Sequence, residues 1–190
     1  MHFNPPATEQ QMIRECKAGS LNYQELLYKR FYGFAMGICL RYSLSNEDAA
    51  EAINDAFIKV FNRISLYNED SSFKAWLRVI VVNTAIDRRR KEMKHHLQAE
   101  LTDTVTDMAS GAELTISKLN AQDILKLMDQ LPPLHRTIFN MYEIDGYSHD
   151  EIGTKLGISA SSSRVYLSRA KEKLKKVLKS ESEHHGRKAE

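Results

Sequence analysis

Residues 147–176 read YSHDEIGTKLGISASSSRVYLSRAKEKLKK, and this stretch decides how the chain folds. Ser148 and Glu151 have the spacing of a capping box, so a short helix can begin at Ser148 with its leading N–H groups satisfied. Ile152 and Leu156, four apart, give that helix one apolar face. Gly157 falls where the chain must turn left-handed, a conformation that a side chain resists. Ser159 can then cap a second, longer helix, with Leu167, Ala170, Leu174, Val177 and Leu178 as its expected buried stripe. Gly153 stands where two crossing helices need a small residue. A short helix, a glycine turn and a long basic helix form the layout of a helix-turn-helix, whose second helix reads the DNA major groove.

Charge supports this only through its distribution. The 190 residues carry 27 Lys and Arg against 25 Asp and Glu, a net charge of +2 that by itself says nothing about nucleic acid. From Ala160 to Ser180, however, Arg164, Arg169, Lys171, Lys173, Lys175, Lys176 and Lys179 face a single acid, Glu172. A second basic run, Arg88-Arg89-Arg90-Lys91, lies mid-chain. Between the two, from Leu97 to Ser117, the only charges are Glu100, Asp103, Asp107 and Glu113. No apolar stretch is long enough to span a bilayer, and MHFNPPATEQ lacks the layout of a signal peptide, so a cytoplasmic protein is expected. Cys16 and Cys39 are expected as reduced core thiols.

Working outward, nothing has the alternation of a strand, and the fold class is all-α: two small helical domains joined by a flexible acidic linker, the C-terminal one a helix-turn-helix. Helices are expected near Thr8–Ala18, Asn22–Tyr42, Asn46–Ile64 and Ser72–Lys94, then from Glu113 to Gln130 and from Pro133 to Ile144. Leu97–Ala112, rich in Thr, Asp and Ser, reads as linker. The expected domains are 1–95, a linker over 96–118, the helix-turn-helix domain over 119–180, and a disordered tail over 181–190.

Three constellations stand out. At about 100° per residue, Ala49, Ile53, Phe57, Val60 and Ile64 share one side of the third helix, while Asp48, Glu51 and Asp55 share the other. That acidic side is either an ordinary solvated face or a docking surface for a basic or polar partner. The fourth helix is apolar over a wide arc, holds the only tryptophan, Trp76, and ends in the arginine run, with Lys74, Arg78 and Arg89 on a common side. Aromatic and basic groups together suit stacking on unpaired bases and gripping their phosphates; equally, Trp76 could be core and the arginines could answer the negative end of the helix dipole. On the last helix, Ser161, Ser162, Arg164, Ser168 and Arg169 lie near the N-terminal half, off the apolar stripe, where side chains reach base edges. No nucleophile elbow, phosphate-binding glycine loop or CxxC is present, and the pairs His95-His96 and His184-His185 lack metal-ligand spacing. Neither a catalytic centre, a metal nor a cofactor is expected.

In order along the chain, the acidic third helix, FKAWLRVIVVNTAIDRRRK, the acidic linker, LPPLHRTIFNMYEIDGYSHDEIGTKLGIS and the basic helix resemble the extracytoplasmic-function (ECF) sigma factors of bacterial RNA polymerase. The resemblance covers nearly the whole chain. It implies that Asp48, Glu51 and Asp55 dock on core polymerase. Lys74, Trp76, Arg78, Asn83, Arg88, Arg89 and Arg90 would capture the unpaired minus-ten strand. Ser159, Ser161, Ser162, Arg164, Ser168 and Arg169 would read the minus-thirty-five duplex. It further implies promoter DNA and core polymerase as partners, a linker threaded through the polymerase, and an anti-sigma factor, often membrane-bound. No small-molecule substrate is implied, and catalysis would belong to the polymerase. The recognition helix departs from the family: where Gly-Thr-Val or similar is usual, Ser161-Ser162-Ser163 stands, with Ser163 at an inward-packing position. A free-standing helix-turn-helix regulator and a helical adaptor without a DNA role are the alternatives.

Overall fold

A computed structural model describes the backbone of residues 7–100 and 121–186, and the side chains of residues 7–92 and 125–179. Every element among the described residues is helical: α1 (Glu9–Lys17), α2 (Leu21–Tyr42), α3 (Asn46–Arg63) with a 3-10 turn at Ile64–Leu66, α4 (Phe73–Glu100), α5 (Ala121–Asp129), α6 (Pro133–Phe139), α7 (His149–Leu156) and α8 (Ala160–Gly186). The chain divides into two compact units, Met1–Ala85 and Ile86–Glu190, and the division falls inside α4. None of these helices is long and apolar enough to cross a membrane.

In the first unit, hydroxyl caps fix where helices begin. Thr8 Oγ1 accepts the Gln11 N–H at 3.2 Å and Ser45 Oγ accepts the Asp48 N–H at 3.1 Å, each satisfying one N–H that has no partner within its helix. α1 and α3 both pack against α2. Leu27, Phe31, Ile53, Phe57, Leu77 and Val81 are buried, each such side chain contributing about 1.5–3 kcal/mol. The expected core stripe of α3 is buried throughout, and Cys16 and Cys39 are buried and not joined in a disulfide.

In the second unit α8 packs against α5, α6 and α7. Pro133 starts α6 at a position where no N–H is needed. The stretch after Phe139, expected as plain helix, widens over Asn140–Ile144 into a π turn, in which the Asp145 N–H donates to the Asn140 carbonyl five residues back at 3.0 Å. Of the expected α8 stripe, Leu167, Ala170 and Leu174 are buried while Val177 and Leu178 are half-buried.

Two helices run further than expected. α4 continues to Glu100, past the expected start of the linker at Leu97, because no glycine or proline interrupts EMKHHLQAE. α8 continues to Gly186, into the segment expected to be a disordered tail, again without a breaker before Gly186. The rest of the expected linker, the start of the helix expected from Glu113 and the last residues of the tail lie outside the described residues.

Candidate nucleic-acid interface

The helix-turn-helix is built from local polar pins. Ser148 N–H donates to Glu151 Oε2 at 2.8 Å, the Glu151 N–H returns to Ser148 Oγ at 3.3 Å, and the Ser148 hydroxyl also donates to that carboxylate at 2.8 Å. These donors hold the Glu151 carboxyl below its ordinary range. Gly157 takes φ +75°, the left-handed turn where α7 ends. Gly153 is needed for a tighter reason than helix crossing. A Cβ there would stand 2.8 Å from the Ile158 carbonyl oxygen and 3.4 Å from the Ala160 nitrogen, so the turn backbone leaves no room for it.

Along α8, Ser159, Ser161 and Arg164 are exposed, and Ser162, Ser168 and Arg169 are half-buried. The first serines engage one another: Ser159 Oγ accepts the Ser162 N–H at 3.0 Å and lies 2.8 Å from the hydroxyls of both Ser161 and Ser162. Ser159 therefore works first as the cap of α8. Lys171 pairs with Glu143 at 2.6 Å, which ties α8 to the π turn. Next to this helix, His135 of α6 lies 5.3 Å from the Tyr166 ring, and its pKa falls to about 4 through burial and the charges of Arg169 and Lys173.

On α3, Glu51 is exposed while Asp48 and Asp55 are half-buried, on the side opposite the core stripe. Asp48 also has a structural task, since its carboxylate accepts the Leu44 N–H at 3.3 Å. Lys59, beside this face, donates to Thr84 Oγ1 of α4 at 3.0 Å.

α4 begins in an aromatic nest. The Phe73, Trp76 and Tyr67 rings lie 5.3–5.7 Å from one another, close enough for tilted and edge-on contacts. Phe73 and Tyr67 are buried and Trp76 is half-buried, so the indole is part core and part surface. Lys17 grips the loop before α4 through the Tyr67 carbonyl at 3.2 Å and Glu69 at 2.7 Å. Lys74 is exposed with its ammonium 4.8 Å from the Phe34 ring, while Arg78, Asn83, Arg88 and Arg90 are half-buried. Arg90 pairs with Asp87 at 3.3 Å. Arg89 is different: it is only 4% exposed and ion-pairs with Glu92, so it does not stand on the outer face with Lys74 and Arg78.

Sequence reasoning missed Tyr67, Lys17, His135 and His149. Tyr67 carried a signal, being an aromatic inside the polar loop SLYNEDSS. The others act through contacts distant in sequence.

A helix-turn-helix with a basic second helix, joined to a helical unit with an aromatic–basic helix, is the layout of a DNA-binding protein. Two family models match the chain: sigma-70 region 2 over residues 27–95 and sigma-70 region 4 over residues 121–174, together well over half of it. Among similar proteins are the RNA polymerase sigma-H factor of Pseudomonas aeruginosa, 24% identical over 90% of this chain and 93% of that protein, and the RNA polymerase sigma factor YlaC of Bacillus subtilis, 29% identical over 80% and 90%. The ECF RNA polymerase sigma-E factor of Escherichia coli is 25% identical over 87% of this chain and 91% of its own. The chain belongs to the ECF sigma factors, which confer promoter specificity on bacterial RNA polymerase for transcription initiation.

Proposed function

We propose that this sigma factor grips a promoter at two points. α8 enters the major groove of the minus-thirty-five duplex and presents Arg164 and Arg169 to base edges, with Ser161, Ser162 and Ser168 beside them. The lysines further along α8 fix position on phosphates. α4 holds the unpaired minus-ten strand, with Trp76 as a stacking platform and Lys74, Arg78, Asn83, Arg88 and Arg90 along the strand. Arg89 supports α4 from inside through Glu92. Asp48, Glu51 and Asp55 dock on core polymerase, and the acidic segment between the domains follows a channel built for nucleic acid. The factor acts in the cytoplasm, bond making belongs to the polymerase, and an anti-sigma protein holds the factor until a signal releases it.

The observation that carries this reading is the capped α7, the left-handed Gly157 and the exposed Arg164 at the start of a basic α8. In-vitro transcription with core polymerase on a pool of random promoters tests it and reads out both elements at once. Two enriched sequence blocks are expected, and Arg164→Ala is expected to relax preference in the upstream block only. Strong sequence-specific duplex binding without polymerase would favour the free-standing regulator instead. Asp48→Lys with Glu51→Lys is expected to weaken polymerase association while the fold stays intact. Unchanged association would return that acidic side to an ordinary solvated face.

A further inference from the structure

Behind the base-reading side of α8 lies a polar lock whose hydrogen bond and ring stack include none of the expected DNA contacts. Ser163 is 0% exposed, and its hydroxyl lies 2.9 Å from Nδ1 of His149, the first residue of α7. The His149 ring is stacked on Tyr142 of the π turn, with centroids 4.5 Å apart and planes 22° from parallel. One hydrogen bond and one ring stack thus connect three consecutive elements at the point where α8 begins. We propose that Ser163, His149 and Tyr142 set the seat of α8 and so decide how Arg164, the next residue along, is presented to the minus-thirty-five element. They are positioning residues, and the proposal rests on α8 being the reader of that element.

The physical argument concerns direction. An apolar side chain at the Ser163 position would hold α8 by shape, and shape tolerates small rotations. A hydrogen bond weakens steeply when its angle changes, and a stacked ring limits the imidazole to one plane. Since successive residues of a helix are about 100° apart, a small rotation at Ser163 moves Arg164 as well. Losing His149 takes the partner from the buried Ser163 hydroxyl, and losing Ser163 takes it from Nδ1 of the half-buried His149, unless α8 shifts to relieve either.

The lock is also sensitive to charge. Besides Tyr142, the groups around His149 are Asp150 on its own helix, Arg164 and Lys171 on α8, and Glu143 of the π turn, which pairs with Lys171. Burial first and Arg164 next hold the imidazole below its ordinary pKa, with Lys171 adding to them and Asp150 opposing. The Ser163 hydroxyl can donate or accept, so a proton on His149 does not break the bond. It places a cation in a half-buried site beside two others, and the seat is disfavoured for that reason.

The test is transcription by core polymerase with the full-length factor, on a library varied at the minus-thirty-five element over one fixed minus-ten element. Ser163→Ala and His149→Leu are each expected to lower discrimination among upstream sequences by about fivefold or more and to reorder the favoured ones. The double variant should be no worse than either single variant, because both remove one interaction. His149→Asn carries an amide near the position of Nδ1 and cannot titrate, but it loses the stack on Tyr142; it should keep more of the wild-type preference than His149→Leu does. Because the imidazole is held below its ordinary pKa, discrimination should fall for the wild type only as pH drops from about 6.5 to about 5, and hold for His149→Asn. Unchanged preference in both single variants, strictly additive losses, or the same pH response in His149→Asn would overturn the proposal. A wild-type factor indifferent to the upstream element would instead remove α8 as its reader, and the seating proposal with it.

Discussion

The start of α4 and the start of α8 are held by opposite means. Trp76 sits in a nest of rings, Tyr67 and Phe73, whose contacts depend on shape and area. The start of α8 has directed polar contacts, the Ser159 cap and the Ser163–His149 bond, and the α7 before it opens on the Ser148–Glu151 box. The contrast follows from what each helix is proposed to meet. An unpaired strand adapts to its platform, and a base stacks on any ring with a free face. A duplex is stiff, so a reading helix must arrive at one angle, and hydrogen bonds fix angles better than packing does.

The strongest break in this comparison is expected on the aromatic side. Phe73 is buried and touches Phe31, Tyr67 and Trp76. Phe73→Ala should cost about 3–5 kcal/mol, seen as a lower urea midpoint, and should lower transcription from every promoter alike. An unchanged midpoint would mean that the nest is not what holds the start of α4. On the polar side, Gly153→Ala pushes a methyl group against the Ile158 carbonyl, where backbone must move. It should cost about 1–3 kcal/mol, and the transcriptional loss should be largest at promoters with a strong minus-thirty-five element. Equal loss on all promoters would contradict the division of labour.

Trp76→Ala probes the surface part of the same nest. Removing a stacking platform should cost about 1–3 kcal/mol in open-complex formation, and Trp76→Phe should recover part of it. A template with a pre-opened bubble tells stacking from simple unfolding. If Trp76 stacks on the strand, the defect persists on that template; if Trp76 only supports the fold, it tracks the urea midpoint.

What the sequence discloses follows how local each interaction is. Ser148, Glu151, Gly157 and Ser159 act within a few residues of themselves, so their roles can be read from spacing. The acidic and apolar sides of α3 are equally legible, since both follow from one helical period. Arg89 could not be placed this way. It shares an angular position with Lys74 and Arg78 on α4, yet only tertiary packing decides that it is buried. His149 and Ser163 stand fourteen residues apart on different helices, and nothing in either segment announces the bond between them. The π turn at Asn140–Ile144 likewise depends on surroundings more than on composition.

Acid gives the gentlest probe, and the two units should answer it differently. No histidine occurs among the described side chains of the first unit, whereas the second holds His135 and His149, both kept below the ordinary histidine pKa. For His135 the folded value is about 4 against an ordinary 6.5, because burial and the neighbouring Arg169 and Lys173 disfavour its charged form. A depressed folded pKa means the unfolded chain takes up the proton first. The stabilisation is therefore whole above about pH 6.5 and is lost as pH falls from there towards 4. Solvent still reaches part of the ring, and screening reduces the loss to about 1 kcal/mol near pH 5. Hydrogen exchange, corrected for intrinsic rates, should show α6, α7 and α8 losing protection between about pH 7 and about pH 5 while α2 and α3 keep theirs. His135→Gln should flatten that response without touching the first unit. Equal softening of both units would place the acid sensitivity in carboxylates common to the whole chain and not in His135 and His149.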